Sequence, residues 1–327
     1  MDRAVIIDAF VELGRRLEHF GEDENSTAVI DKAMAANAWF SSSDIIMAVK
    51  AIREEMLDGD KLRHWANAYD IPQTSCRVAI IMAGNIPLVG FFDLLCVLVS
   101  GHVAIVKFSS KDSVMMQYVV DILHDVCPTI PIEFYDDSPS IDMVIATGGD
   151  LAALHFKSHY SNIPALIRGS RHSVAVLSGK ESIEQMKGLQ QDIYTYNGFG
   201  CRNVSLLLVP KGWQMDIPKP KALLDMKRAN YLCDKALLVM LESKFEDLDG
   251  ALAIESCSFP DSISRVHYSY YESINDVYKW LEEHDDKLQC VVSTIVKHPR
   301  CVDFGRAQYP SLWDYADGVD VMKFLTI

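Results

Sequence analysis

Short apolar runs separated by stretches of helical periodicity fill residues 77–146, and no other feature constrains the fold as much. Residues 77–82, 103–108, 132–135 and 143–146 read as strands, with helices expected over about 88–100 and 111–126. Strands that are apolar on both faces need cover on each side. The alternation therefore specifies an α/β fold built on a doubly wound parallel sheet. Ligands on such sheets bind beyond the carboxyl ends of the strands. Here those ends are Gly84-Asn85, Lys107-Phe108-Ser109-Ser110 and Thr147-Gly148-Gly149.

Residues 1 to about 70 carry helical spacing instead. Val5, Phe10, Leu13, Leu17 and Phe20 form one stripe and Ile45, Val49, Ile52 and Met56 another. Ser41-Ser42-Ser43-Asp44 supplies side-chain oxygens for a helix start. A strand at 173–179 is expected to close the first half. Beyond it come a strand at 204–209, a polar Pro- and Lys-rich stretch at 210–228 and a helix near 229–243. Strands at 263–268 and 288–295 follow, with a helix at 274–283 between them. There is no internal repeat or clear linker, and the chain reads as two α/β halves meeting near 180–200.

Composition removes several function classes. A net charge of -14 argues against broad nucleic-acid binding, which needs a basic face. Eight scattered cysteines with no Cys-x-x-Cys pair argue against a zinc site or a disulfide framework and suit a reducing compartment. The start, Met1-Asp2-Arg3-Ala4, lacks the basic opening of a signal peptide. The longest apolar stretch, 86–100, is too short to span a membrane and contains Asp93. A cytoplasmic protein with no integral membrane segment is expected.

Among the cysteines, Cys201 sits in the most telling context, Asn197-Gly198-Phe199-Gly200-Cys201-Arg202-Asn203, just before the 204–209 strand. Two glycines permit an unusual backbone and a close ligand. Arg202 and the turn's N–H groups would favour a thiolate, while a small buried residue after a tight turn is the bland alternative. Other motifs fail. The Gly-x-Gly of this turn lacks the third glycine and the preceding strand of a dinucleotide fingerprint, and Ser178-Gly179-Lys180 lacks the rest of a P-loop. His155 and His159 have ligand spacing but no intervening glutamate, so two ordinary helix-face histidines are expected. Lys219, Lys221, Lys227 and Arg228 read as a solvated face, or as a cluster for an anionic carrier's phosphates.

Three stretches in order resemble the acyl-CoA reductase family, which includes the fatty-acid reductase component of bacterial bioluminescence. They are Ile81-Met82-Ala83-Gly84-Asn85-Ile86-Pro87-Leu88, Val106-Lys107-Phe108-Ser109-Ser110-Lys111-Asp112 and Phe199-Gly200-Cys201-Arg202-Asn203-Val204-Ser205. The resemblance runs from about residue 76 onward and takes in Trp313-Asp314-Tyr315-Ala316-Asp317-Gly318 near the end. That family in turn resembles the aldehyde dehydrogenase superfamily. The resemblance implies an aldehyde-dehydrogenase-like fold of two doubly wound α/β domains with a helical N-terminal segment. Residues 1–75 would pack on a cofactor-binding domain of 76–180. Residues 181–327 would form the catalytic domain, with a tail free to return to the first.

The resemblance also implies roles. Cys201 matches the nucleophile that takes the acyl group as a thioester, and Asn85 the amide that steadies the oxyanion with the Cys201 N–H. Lys107 matches the lysine at the adenosine ribose, with Ser109 and Ser110 beside it, and Thr147-Gly148-Gly149 the turn where the cofactor lies close to the backbone. Ser110 stands where NAD-preferring members carry glutamate, and Lys111 follows, so NADPH is expected over NADH. Val176 is matched to the general-base glutamate of water-using aldehyde dehydrogenases, which favours reduction over oxidation. The carboxylate for the nicotinamide ribose has no clear match; Glu255 is a candidate. The expected activity is reduction of a long-chain fatty acyl-CoA or acyl-carrier thioester to the aldehyde. Alternatives are an aldehyde-oxidising or acyl-phosphate-reducing enzyme and a non-catalytic scaffold in an acyl-activating complex. An acyl-activating synthetase partner and a homo-oligomer are expected by analogy.

Overall fold

The computed structural model describes residues 1–136 and 140–326, in two compact units. One comprises residues 1–170 together with 311–326; the other is Arg171–Pro310.

The first unit opens with four helices, α1 (Arg3–Arg16), α2 (Glu24–Ala36), α3 (Ser42–Met56) and α4 (Gly59–Ala66). Each starts where a short polar side chain satisfies an N–H that has no helical partner: Asp2, Asp23, Ser41 and Asp58 all cap in this way. The α3 stripe of Ile45, Val49, Ile52 and Met56 is buried as its spacing predicts. On α1 the buried face is rotated: Ile6, Ile7, Phe10 and Leu13 are inside and Val5 is exposed. Ile6 continues the i, i+4, i+7 series with Phe10 and Leu13, whereas Val5 falls about 100° to one side.

The parallel sheet follows. Its elements are β1 (Arg77–Ile81), α5 (Phe91–Val99), β2 (Val103–Lys107), α6 (Ser113–Val126), β3 (Ile132–Phe134), β4 (Met143–Thr147), α7 (Asp150–His159) and β5 (Ala165–Arg168). The strands lie in the order β3-β2-β1-β4-β5, all parallel. The centres of β1, β2 and β4 are buried, and nearly every residue of α5 is buried with them. The α5 helix starts three residues later than its apolar run predicts, because Leu88 takes φ 58 and breaks the helical path. It stops at Gly101, whose φ of 85 lets the His102 N–H turn back to the Val97 carbonyl.

The closing residues complete this unit's core. Leu312, Leu325 and α11 (Val321–Phe324), with its buried Val321 and Met322, join the main cluster. Buried His102 receives the Cys76 N–H at Nδ1 (3.1 Å), which leaves its Nε2–H to donate to the Leu325 carbonyl at 2.7 Å. The Trp65 indole donates to the Tyr315 hydroxyl at 2.7 Å, and the Tyr69 hydroxyl lies 2.5 Å from the same oxygen.

The second unit runs β6 (His172–Val176), α8 (Ile183–Tyr194), β7 (Val204–Pro210), α9 (Asp225–Met240), β8 (Glu246–Asp247), β9 (Leu252–Glu255), β10 (Arg265–Tyr271), α10 (Ile274–Glu283), β11 (Leu288–Val292) and β12 (Cys301–Val302). Its strands order as β12-β11-β6-β7-β10-β9-β8, with only the β8–β9 pair antiparallel. The run expected to close the first half is therefore β6, in the middle of the second sheet. The last strand of the first sheet is β5, shorter and less apolar.

Candidate active site

In the first unit, β2 lies on one side of β1 and β4 on the other. The connections out of β1 and into β4 therefore diverge, and a doubly wound sheet opens its ligand crevice at such a switch point. Asn85 lies exposed on the loop that leaves β1. Thr147 ends β4, with Ile81 opposite Ala146 in register, so the 82–85 loop and the Thr147-Gly148-Gly149 turn are neighbours. Lys107 ends β2 opposite Ile81, exposed, with its Nζ 4.8 Å from the centre of the Tyr135 ring. Ser110 and Lys111 are exposed just beyond it, and Ser109 packs under Gly84 so tightly that a Cβ there would lie 2.4 Å from Ser109 Oγ. Asn85, Lys107, Ser109, Ser110, Thr147, Gly148 and Gly149 thus gather along one edge of one sheet.

Two buried carboxyl groups hold this edge, and sequence reading gave neither a role. Asp112, 2% exposed, accepts the Leu88 N–H at 2.8 Å, which restrains the left-handed Leu88 at the end of the Asn85 loop. Its other oxygen is buried without a hydrogen-bond partner. Burial pushes its pKa up to about 8, opposed by the Leu88 N–H. Asp93, in the first turn of α5, forms a bidentate pair with Arg168 at the end of β5, at 2.7 and 2.9 Å. The Arg168 carbonyl accepts the Gly148 N–H (3.2 Å) and its guanidinium lies 3.4 Å from Thr147 Oγ1. One residue therefore braces both the helix after the Asn85 loop and the Thr147 turn.

The glycine turn leaves open space beside its backbone at Gly149. A Cβ on Gly149 would meet nothing within 4 Å, so a ligand could pass there against bare backbone at the start of α7. Lys107 and Ser110, exposed at the next strand end, could hold its ribose. On α7 itself the His155 and His159 rings stack 5.9 Å apart at 18°. Among the described residues no group of three His, Cys, Asp or Glu side chains could hold a metal ion.

In the second unit Cys201 is exposed on the turn between α8 and β7. The chain reaches it through three consecutive left-handed residues, Tyr196 (φ 51), Asn197 (φ 57) and Gly198 (φ 84). Such backbone at a tyrosine is costly and must be held by its surroundings. Buried Asn203 ties together the chain on either side of these residues. The two hydrogens of its Nδ2 are shared among the carbonyls of Asp192, Ile193 and Thr195, at 3.1, 3.2 and 2.8 Å, and its Oδ1 accepts the Gly200 N–H at 2.8 Å. Ser173 on β6 donates to the Cys201 carbonyl at 2.8 Å and receives the Cys290 N–H at 3.1 Å. The Cys290 thiol is buried beside it, and burial pushes it up to about 11.

Two readings from sequence are corrected in this unit. Val176 is 0% exposed, within a cluster with Val174, Leu206, Leu208 and Leu281. A side chain sealed in a core does not stand where a base meets water, so its identity says nothing about hydrolysis. The basic cluster separates. Lys219 pairs with Asp249 at 2.7 Å, while Lys227 is 2% exposed and donates to the Ile263 carbonyl at 2.5 Å. Burial pulls the Lys227 amine down to about 7, opposed by Asp234, so it belongs to no solvated face. Ser178-Gly179-Lys180 forms a turn around the Glu181 carboxylate, which accepts the Ser178 and Gly179 N–H groups. Glu255 lies exposed at the carboxyl end of β9.

The sequence model of the family described as acyl-CoA reductase (LuxC) matches residues 23–226. The chain belongs to this family. Among curated relatives, the long-chain acyl-protein thioester reductase 2 of Photobacterium leiognathi is 24% identical over 190 residues, 50% of this chain and 39% of the relative. The match thus spans well under half of that relative's length. Solved structures share the fold at low identity. A putative aldehyde dehydrogenase from Burkholderia cenocepacia aligns with TM-score 0.68 at 10% identity, covering 92% of this chain and 76% of its own. An acetylating aldehyde dehydrogenase from Geobacillus thermoglucosidasius aligns at 0.62 and 11%, covering 95% and 86%. Proline utilization A from Corynebacterium freiburgense aligns at 0.63 and 13%, covering 90% of this chain and 37% of its own. This acyl-CoA reductase family member therefore has the aldehyde-dehydrogenase-like fold. Among its described residues no helix is long and apolar enough to cross a membrane.

Proposed function

We propose that this chain reduces a long-chain fatty acyl thioester, carried on coenzyme A or a carrier protein, to the aldehyde at the expense of NADPH. One observation carries the reading: an exposed cysteine on a strained, heavily braced turn, in a member of the acyl-CoA reductase family. The Cys201 thiolate attacks the acyl carbon. The bond from that carbon to the carrier sulfur breaks, the carrier thiol leaves with a proton, and the acyl group stays on Cys201. The Cys201 N–H donates to the oxyanion of the tetrahedral intermediate, and Asn85 keeps the donor role that the family resemblance gives it. The nicotinamide cofactor supplies, when bound, the hydride that takes the acyl group to the aldehyde and frees the thiolate.

Lys107 binds the adenosine ribose, and the Thr147-Gly148-Gly149 turn lets the cofactor pass close to the backbone. Ser109 and Ser110, with Lys111 beside them, tolerate a 2′-phosphate, the basis for NADPH over NADH. The preference for reduction rests on the family, since Val176 carries no information. The relative's name, an acyl-protein thioester reductase, favours a protein-bound acyl donor as the second reading. An acyl-activating synthetase partner, a homo-oligomer and a cytoplasmic setting complete the proposal.

The test is NADPH oxidation on adding palmitoyl-CoA or a palmitoylated carrier, with wild type and Cys201→Ala side by side. Oxidation by wild type alone, faster than with NADH, is expected. No oxidation with either donor or either cofactor removes the reading and leaves the scaffold alternative. Acid released from an aldehyde, with cofactor reduced, makes the chain an oxidiser.

A further inference from the structure

Cys201 is held through the peptides on both sides of it. The Gly200 carbonyl, in the peptide that also carries the Cys201 N–H, accepts the Asn203 N–H at 2.9 Å. In a trans peptide the C=O and N–H point in opposite directions, and no peptide among the described residues is cis. Fixing the Gly200 oxygen toward Asn203 therefore aims the Cys201 N–H away from it. The Asn203 amide secures the same corner by taking the Gly200 N–H and by tying residue 203 to three carbonyls at the end of α8. The following peptide is fixed by Ser173, whose hydroxyl donates to the Cys201 carbonyl while the Cys290 N–H holds that hydroxyl in place. Gly200 has no room for change, since a Cβ there would lie 2.9 Å from Asn203 Oδ1.

We propose that Asn203 and Ser173 are positioning residues that clamp the two peptides flanking Cys201 and so present its N–H as an oxyanion donor. The inference rests on Cys201 being the nucleophile of the proposed reaction. Neither side chain touches substrate. They act through backbone geometry, and the signature of that role is selective. Alkylation of the thiolate by iodoacetamide develops no oxyanion, whereas acyl transfer from an ester does. Loss of the clamp lowers the second rate and spares the first.

The experiment uses the full chain, with Asn203→Ser and Ser173→Ala variants and Cys201→Ala as the blank. Two pH-independent rate constants are measured at Cys201. One is alkylation by iodoacetamide, read by mass spectrometry of the peptide that carries it. The other is the burst of p-nitrophenolate from p-nitrophenyl acetate. The expected result is a burst rate lowered at least about tenfold in the variants, toward the effect of losing an oxyanion donor, with alkylation within about threefold of wild type. Equal loss of both rates, or loss of neither, overturns the proposal. So does a wild-type Cys201 that alkylates but takes no acyl group from the ester. Should Asn203→Ser fail to fold, Ser173→Ala decides alone. Variants that show the selective pattern, beside a wild type that never oxidises NADPH with an acyl thioester, keep the clamp and sink the proposed function.

Discussion

At Asp112 the first unit buries a carboxyl with one hydrogen bond to satisfy it. Its folded value of about 8 lies above the ordinary 3.8, so the neutral acid is the form the fold prefers. The stability it lends is fully present below about pH 4 and is lost as the pH rises through about 8. Asp112→Asn keeps the acceptor for Leu88 and removes the charge. Thermal unfolding between pH 5 and 9 should show wild type losing stability toward pH 9 relative to this variant. Lys227 has the opposite sign. Its amine sits at about 7, below 10.5, so its contribution is present at high pH and lost as the pH falls through 7. Lys227→Met should raise the midpoint of unfolding more at pH 6 than at pH 10. The Asp93–Arg168 pair should tolerate no halving: Asp93→Ala leaves a buried guanidinium uncompensated, at a cost of about 3–5 kcal/mol in denaturant unfolding. Sequence reading gave none of these residues its role. Partners such as Leu88, Ile263 and Arg168 lie far along the chain, and burial of a lysine leaves no local sign.

The α8 helix links the second unit's core to the Cys201 turn. Gly188 in its middle faces the backbone of Phe304 and Gly305, where a Cβ would come within 2.7 Å of a main-chain carbon. Gly188→Ala, normally a helix-favouring change, should therefore push α8 off this segment and destabilise the unit by about 1–3 kcal/mol. It should also slow alkylation of Cys201, read in the same preparation. Strands β1, β2 and β4 were legible from sequence because burial on both faces makes them continuous apolar runs. The same property hid the boundary between the units, since the β6 run of Val174, Ala175 and Val176 looks alike in either sheet. Strand β5 escaped notice because Ala165–Arg168 is short, partly exposed and ends on an arginine. The Cys201 turn was legible from its glycines and from Asn197, a residue type that tolerates a left-handed backbone, but its strain at Tyr196 was not, because nothing in that side chain asks for one.

At the scale of the whole molecule, the second unit is continuous in sequence whereas the first is assembled from both ends of the described chain. Leu312, Val321, Met322 and Leu325 fill the first unit's core, and the Leu325 carbonyl takes the hydrogen bond of buried His102. During synthesis this creates an order of events. The amino-terminal helices and the first sheet emerge early but lack part of their interior until residues 312–325 leave the ribosome. Residues 171–310, by contrast, have every element of their unit in hand before residues 311–326 appear. The usual amino-to-carboxyl order of domain folding should be reversed. Residues 171–310 alone should unfold cooperatively in denaturant, and residues 1–170 alone should not. In the cell the unfilled core of the first unit would wait as an exposed apolar surface, a client for chaperones until residues 312–325 emerge.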